Sequence, residues 1–153
     1  MDKVYLVTVA VVVICTKSFS VQAKADGCSG YILLDKFDRA DSYNVTPSIP
    51  SYDDTLANGW YKFGGFAGNQ ISQVCRPASY CNTLSPGWLN GSHPLVADGP
   101  VQRKVCFSDG KDCCGFDVNI TVLNCNGFYV YYLTPTSKNY RYCGNGLSST
   151  KGV

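Results

Sequence analysis

Cysteine number constrains this chain more than any other feature. Nine occur in its 153 residues, but Cys15 lies in an apolar run, Val4 to Cys15, that follows Lys3 and precedes small residues. This is the layout of a secretory signal, assigned to residues 1–23 with cleavage after Ala23, or alternatively after Ala25. Twelve residues are too few to span a bilayer, which takes roughly 20. Cys15 therefore leaves with the leader. Residues 24–153 keep Cys28, Cys75, Cys81, Cys106, Cys113, Cys114, Cys125 and Cys143. An even number behind a secretory leader reads as a disulfide framework, with about 105 pairings open. Cys113 and Cys114 are expected to bond to two different partners, because joining adjacent residues strains the peptide between them. Removing one native bridge from a small secreted domain costs about 2–5 kcal/mol, so four bridges rival the whole net stability of such a domain, about 5–15 kcal/mol.

Zinc is the competing use of these thiols. Structural zinc sites favour ligands two to four residues apart. Here five residues separate Cys75 from Cys81, six separate Cys106 from Cys113, and none separates Cys113 from Cys114. With one histidine in the chain, no metal and no cofactor is expected.

The remainder has the size of one domain. From Lys24 onward eleven Lys and Arg face ten Asp, with no Glu. The basic residues are scattered, and Arg103-Lys104 is the only adjacent pair. This is no footprint for nucleic acid or acidic membranes. The end, Gly144 to Val153, is polar and lacks the hydrophobic tail of a lipid-anchor signal. A secreted, extracellular product without a membrane anchor is expected.

Local patterning predicts a small disulfide-rich β fold of antiparallel hairpins with long loops and little helix. Tyr31 to Arg39 suits a strand or one short helix. A loop rich in Ser, Pro, Asn and Asp follows from Asp41 to Gly59 and is the segment expected to be most mobile. Trp60 to Phe63 reads as a strand stopped by Gly64-Gly65, Ile71 to Cys75 as a second strand, and Gly87 to Pro100 as a turn-rich loop. The strongest strands are Val118 to Cys125 and Phe128 to Leu133. Asn126-Gly127 between them is the best short hairpin signal, because both turn positions require positive φ. A two-residue loop sets the register: Cys125 opposite Phe128, Leu123 opposite Val130, Thr121 opposite Tyr132 and Asn119 opposite Thr134.

Three sites fit Asn-X-Ser/Thr: Asn44, Asn90 and Asn119. Asn90 is the best placed, among Gly, Ser and Pro. Asn44 is weaker because Pro47 follows its sequon. His93 is the only histidine. Ser92, His93 and Asp98 could be drawn as a triad, but adjacent side chains diverge and no nucleophile elbow or oxyanion motif accompanies them. Asp53-Asp54, the one adjacent carboxylate pair, has nothing around it to suggest a raised pKa, as glycoside hydrolysis would require. Catalysis is not expected, and a secreted hydrolase is the remotest reading. Trp60, Trp88 and Tyr131 are candidate stacking platforms for a ligand, although core filling is the commoner role of such rings. Trp88 stands out, two residues before Asn90.

The segment Cys81-Asn-Thr-Leu-Ser-Pro-Gly-Trp-Leu-Asn-Gly-Ser-His-Pro94, with Arg103-Lys-Val-Cys106 and Cys113-Cys114, resembles the eight-cysteine domain of uromodulin and its relatives. So do Asn124 to Pro135 and Tyr142-Cys143. The likeness runs from about Cys28 to Cys143. Those relatives include the major glycoprotein of pancreatic zymogen granules and the liver-specific zona-pellucida-domain protein. The resemblance implies an extracellular, non-catalytic binding or glycan-display module, with an unidentified extracellular protein or a microbial lectin as partner. The main alternative is a structural component of mucus, matrix or secretory granules. The oligomeric state is left open. No zona pellucida polymerisation module follows, so filament formation is not expected of this chain.

Two departures from the family matter. Mammalian uromodulin carries a sequon asparagine where this chain has Tyr132. Asn119, on the same hairpin face and diagonal to Tyr132, is expected to place a glycan nearly there. An extra cysteine pair of uromodulin is also missing, near Asp53 and Lys138. An exposed Asp53–Lys138 ion pair could stand in its place, worth about 0–1 kcal/mol.

Overall fold

The computed structural model describes residues 27–44 and 49–146; the leader assigned to 1–23 and the last residues of the tail lie outside them. Seven strands form one curled, mixed sheet: β1 (Ile32–Leu34), β2 (Gly59–Phe63), β3 (Ser85–Asn90), β4 (Val101–Phe107), β5 (Phe116–Asn124), β6 (Tyr129–Leu133) and β7 (Tyr140–Tyr142). Their spatial order is β1-β2-β6-β5-β4-β3-β7. Helix is limited to three single 3-10 turns among the described residues. The fold is the disulfide-rich β class expected, with one refinement: both edge strands, β1 and β7, pair in parallel with their neighbours.

The β5–β6 hairpin forms in the expected register. Asn126 and Gly127 take φ of 55° and 122°, Cys125 N–H donates to the Phe128 carbonyl at 2.8 Å, and Thr121, Leu123 and their partners pair as predicted. The β5–β6 ladder stops at Thr121–Tyr132, so Asn119 is not paired with Thr134; its partner is Lys104 of β4. Side chains alternate along each strand. Val118, Ile120 and Val122 of β5, Tyr129, Tyr131 and Leu133 of β6, and Tyr61 and Phe63 of β2 face the core. They pack there with Leu89, Val105, Phe107 and Tyr142. Asn119, Thr121, Tyr132 and Trp60 lie on the opposite face.

Other expectations need correction. Ile71 to Cys75 is not a strand. Only Ile71 makes a bridge, to Gly144, because Ser72 crosses between chain segments, donating its N–H to Cys143 and accepting from Leu89 N–H. Gly144 has no room for a side chain: a Cβ there would run into the Ala67 carbonyl. The supposed loop after Gly87 begins as strand β3, held between β4 and β7. Residues 49–59 are anchored. Ser51 N–H bonds Asn82, Asp53 N–H bonds Tyr140, and Thr136 N–H bonds the Asp53 carbonyl.

Asp53 itself is buried, at 3% exposure, and does not pair with Lys138, which is exposed. Its carboxylate accepts from Nη1 and Nη2 of Arg39, each at 2.8 Å, and from the Tyr142 N–H at 2.9 Å. Arg39 also donates to the Tyr142 carbonyl. Beside it, Arg141, 2% exposed, holds Asp38 at 3.0 Å and donates to the Cys81 carbonyl. Burial alone would raise the Asp38 pKa, but hydrogen bonds from Arg141 and Asn82 and the two arginine charges together lower it. This ionic layer ties the N-terminal segment to β7.

The bridges are Cys28–Cys125, Cys75–Cys113, Cys81–Cys143 and Cys106–Cys114. Cys113 and Cys114 thus bond to different partners. Cys28–Cys125 fastens the start of the described chain to the hairpin tip, and Cys81–Cys143 closes over the ionic layer.

Candidate functional site

The outer face of the sheet carries the site, and the strand pairing decides what lies there. Directly paired residues share a face. Asn90 pairs with Lys104, and Lys104 with Asn119. Two sequon asparagines therefore stand in one row, both exposed, their backbones about 10 Å apart across two strand spacings. Lys104 between them is held by Asp117 at 3.1 Å. Asn90 also approaches Cys106 Sγ at 3.5 Å. Asn44 is exposed, at a bridge with Tyr80 and far from this row in the pairing scheme; the rest of its sequon lies outside the described residues.

A second row runs Gln102, Thr121, Tyr132, Trp60 across β4, β5, β6 and β2. Gln102 donates to the Thr121 hydroxyl at 2.7 Å. Trp60 and Tyr132 meet edge to face, with ring centroids 5.5 Å apart. They line a cleft of about 870 Å³ with Ile32, Asn58, Pro100, Leu123 and the glycines at 27, 30 and 59. One indole face of Trp60 is covered by the Gly27 backbone, where an added Cβ would lie 2.6–2.8 Å from the ring. Tyr132 is 39% exposed. No charged side chain lines the cleft among the described residues.

Of the three aromatic platforms expected, Trp60 reaches this cleft. Tyr131 does not: it is fully buried on the core face, and its neighbour Tyr132 takes the outer position. Trp88 is half-buried in β3, its indole N–H donating to the Cys113 carbonyl at 2.7 Å. That bond pins it beside the Cys75–Cys113 bridge, whereas the sequence placed it in a loop.

His93 is tied to the core and is not a plain loop residue. Its Nε2 lies 2.8 Å from Tyr131 Oη, and its ring packs at 4.5 Å from Tyr129. Tyr131 Oη accepts the Ile71 N–H, which leaves its own proton available to Nε2 of a neutral His93. Burial, with the Arg103 charge, lowers its pKa from 6.5 to about 4. Asp98 is elsewhere engaged, accepting the Leu95 N–H at the start of its own 3-10 turn. Asp53 is locked by Arg39 as a buried ion-pair partner. No group of three or more His, Cys, Asp or Glu among the described residues is placed to hold a metal ion.

The lowered pKa of His93 has a consequence for stability. Between about pH 6.5 and pH 4 the unfolded chain binds a proton that the folded chain refuses, so stability falls as pH drops through that window. Urea unfolding midpoints are expected to decline as the pH is lowered from neutral into that window. His93→Gln, which keeps a hydrogen-bond partner for Tyr131, should flatten that decline; equal slopes in both proteins would assign the acid sensitivity to other groups.

Sequence reasoning missed the Arg39, Asp38 and Arg141 layer, since nothing in a scattered set of charges marks them as buried. It also missed Tyr132 as the exposed ring.

Uromodulin of Mus musculus is 39% identical over 130 residues, covering 84% of this chain and 20% of that protein, and uromodulin of Rattus norvegicus is 39% identical over 130 residues, covering 84% of this chain and 19% of that protein. The pancreatic secretory granule membrane major glycoprotein GP2 of Canis lupus familiaris is 35% identical over 127 residues, covering 82% of this chain and 24% of that protein. The chain thus spans about a fifth to a quarter of the length of these relatives. The family model of the uromodulin-like eight-cysteine domain matches residues 61–144, which hold most of β2, all of β3 to β7 and every paired cysteine except Cys28. With more than half its residues inside that match, the chain belongs to the uromodulin-like eight-cysteine domain family.

Proposed function

We propose that this is a secreted, non-catalytic glycoprotein module that presents N-glycans from one face of its sheet to an extracellular lectin. The observation that carries this reading is the row Asn90–Lys104–Asn119, which points two sequon asparagines out of the same surface. Four disulfides suit the oxidising compartment in which such a chain would work. A leader at 1–23 would deliver it there, and Asn44 is a third, separate acceptor.

The test is peptide mass spectrometry of the protein secreted from eukaryotic cells, before and after enzymatic deglycosylation, followed by binding to immobilised microbial lectins. Sugar on Asn90 is expected, as is loss of lectin binding in Asn90→Gln. Bare sequons throughout would end the display reading.

A second reading, a structural component of mucus, matrix or granules, is favoured by one feature. The β1 edge leaves Ile32 and Leu33 about half exposed, at 53% and 49%, and an open apolar edge is a template for pairing. Sedimentation velocity separates the two readings: mass rising with concentration, and abolished by Leu33→Lys, would favour assembly over display.

A further inference from the structure

The aromatic cleft and the Asn119 sequon share one face of the sheet. We propose that Asn119 carries an N-glycan whose first sugars lie back in the Trp60–Tyr132 cleft, leaving the Asn90 glycan as the one presented outward. The inference rests on the glycan-display reading and divides the work between its two sites.

The geometry comes from the pairing. Thr121 is directly opposite Tyr132, and Tyr132 opposite Trp60. Asn119 precedes Thr121 by two residues and so is diagonal to Tyr132, at roughly 7–8 Å. A chain of two sugars leaving Asn119 crosses that distance and runs along the Tyr132–Trp60 row. The cleft's chemistry suits the neutral N-acetylhexosamines of a glycan core. It is uncharged, it offers ring faces and the aliphatic Ile32 and Leu123 for the apolar sides of a pyranose, and it adds Asn58 as a polar group. An acidic peptide or sulfated sugar would find no cation among these lining residues. Contact between one sugar and one ring is weak, so a free saccharide would need high concentration. Tethering removes that requirement by making the encounter intramolecular, at an effective concentration on the order of millimolar for a short tether. A mid-strand acceptor is no obstacle, since the sugar is transferred before the sheet forms and the Asn119 side chain is exposed afterwards.

Native-state release by peptide N-glycosidase tests this, with glycopeptides quantified at each sequon over time and Asn90 as internal reference. Tyr132→Ala is the variant, because Tyr132 is exposed and its loss leaves the core intact; an unchanged urea midpoint confirms that. Release from Asn119 is expected to be about tenfold faster in Tyr132→Ala than in the parent, which corresponds to ~1.4 kcal/mol of lost holding. Release from Asn90 should not change. Equal Asn119 rates in parent and variant would overturn the seat in the cleft. A bare Asn119 beside an occupied Asn90 would overturn the inference while display from Asn90 stands. Both bare would overturn display as well.

Discussion

Asp53→Ala should lower the unfolding free energy by about 3–5 kcal/mol, because it leaves a buried guanidinium without its counter-charge. Arg39 sits at 6% exposure, and its Nε already lacks a partner. Without Asp53 it would keep only the Tyr142 carbonyl. The Tyr142 N–H would lose its acceptor as well, so the edge pairing of β7 weakens with the ion pair. A loss of this size is a large share of the roughly 5–15 kcal/mol expected for such a domain, and secretion should drop with it. The reference variant is Arg39→Met combined with Asp53→Leu. Replacing both charges by apolar groups removes the stranded cation, so the double variant should be more stable than Asp53→Ala alone. Urea unfolding of the three proteins decides it. If Asp53→Ala shifted stability by less than about 1 kcal/mol, the pair would behave as an exposed one.

The second large effect is expected from Cys81→Ala combined with Cys143→Ala. The bridge closes a 62-residue separation, for which chain entropy alone gives about 4 kcal/mol. Both half-cystines are buried, and the Cys81 carbonyl accepts from Arg141, so the ionic layer loosens too. Removing Cys106–Cys114, with a separation of 8, should cost less, about 2.5 kcal/mol by the same relation. Guanidinium unfolding of the two double variants, with the remaining bridges verified by mass spectrometry, gives the order. The reverse order would mean that native packing, and not loop closure, sets the contribution of these bridges.

These two effects fall where sequence reasoning had least to say. An aspartate in a stretch rich in Ser, Pro and Asn looks solvated, and Lys138 looks as good a partner as any. Only the docking of residues 49–59 against β7 brings Asp53 to Arg39 and excludes water from both. The choice among Cys pairings was equally closed to local reading, since each bridge joins elements that meet only in the folded sheet. Tyr131 and Tyr132 illustrate a subtler limit. Strand alternation says that one faces in and the other out, but not which, until Leu133 and Tyr129 are seen to share the core side with Tyr131. Trp88 was misplaced because Pro86-Gly87 carries a turn signal, which the flanking strands β4 and β7 override by pairing on both sides.

What the chain determined by itself was local or countable: an even set of eight cysteines from Lys24 onward, a β-rich fold, and a hairpin whose Asn126-Gly127 turn set Thr121 against Tyr132. Backbone preference and a two-residue loop suffice for that, because no distant partner is consulted. The tertiary structure decided the rest. It chose the disulfide pairs, buried the Arg39–Asp53 layer, turned Tyr132 outward, and aligned Asn90 with Asn119 through Lys104. Each of these depends on which strands become neighbours across long stretches of chain, and that choice is made by the shared core and not by any one segment.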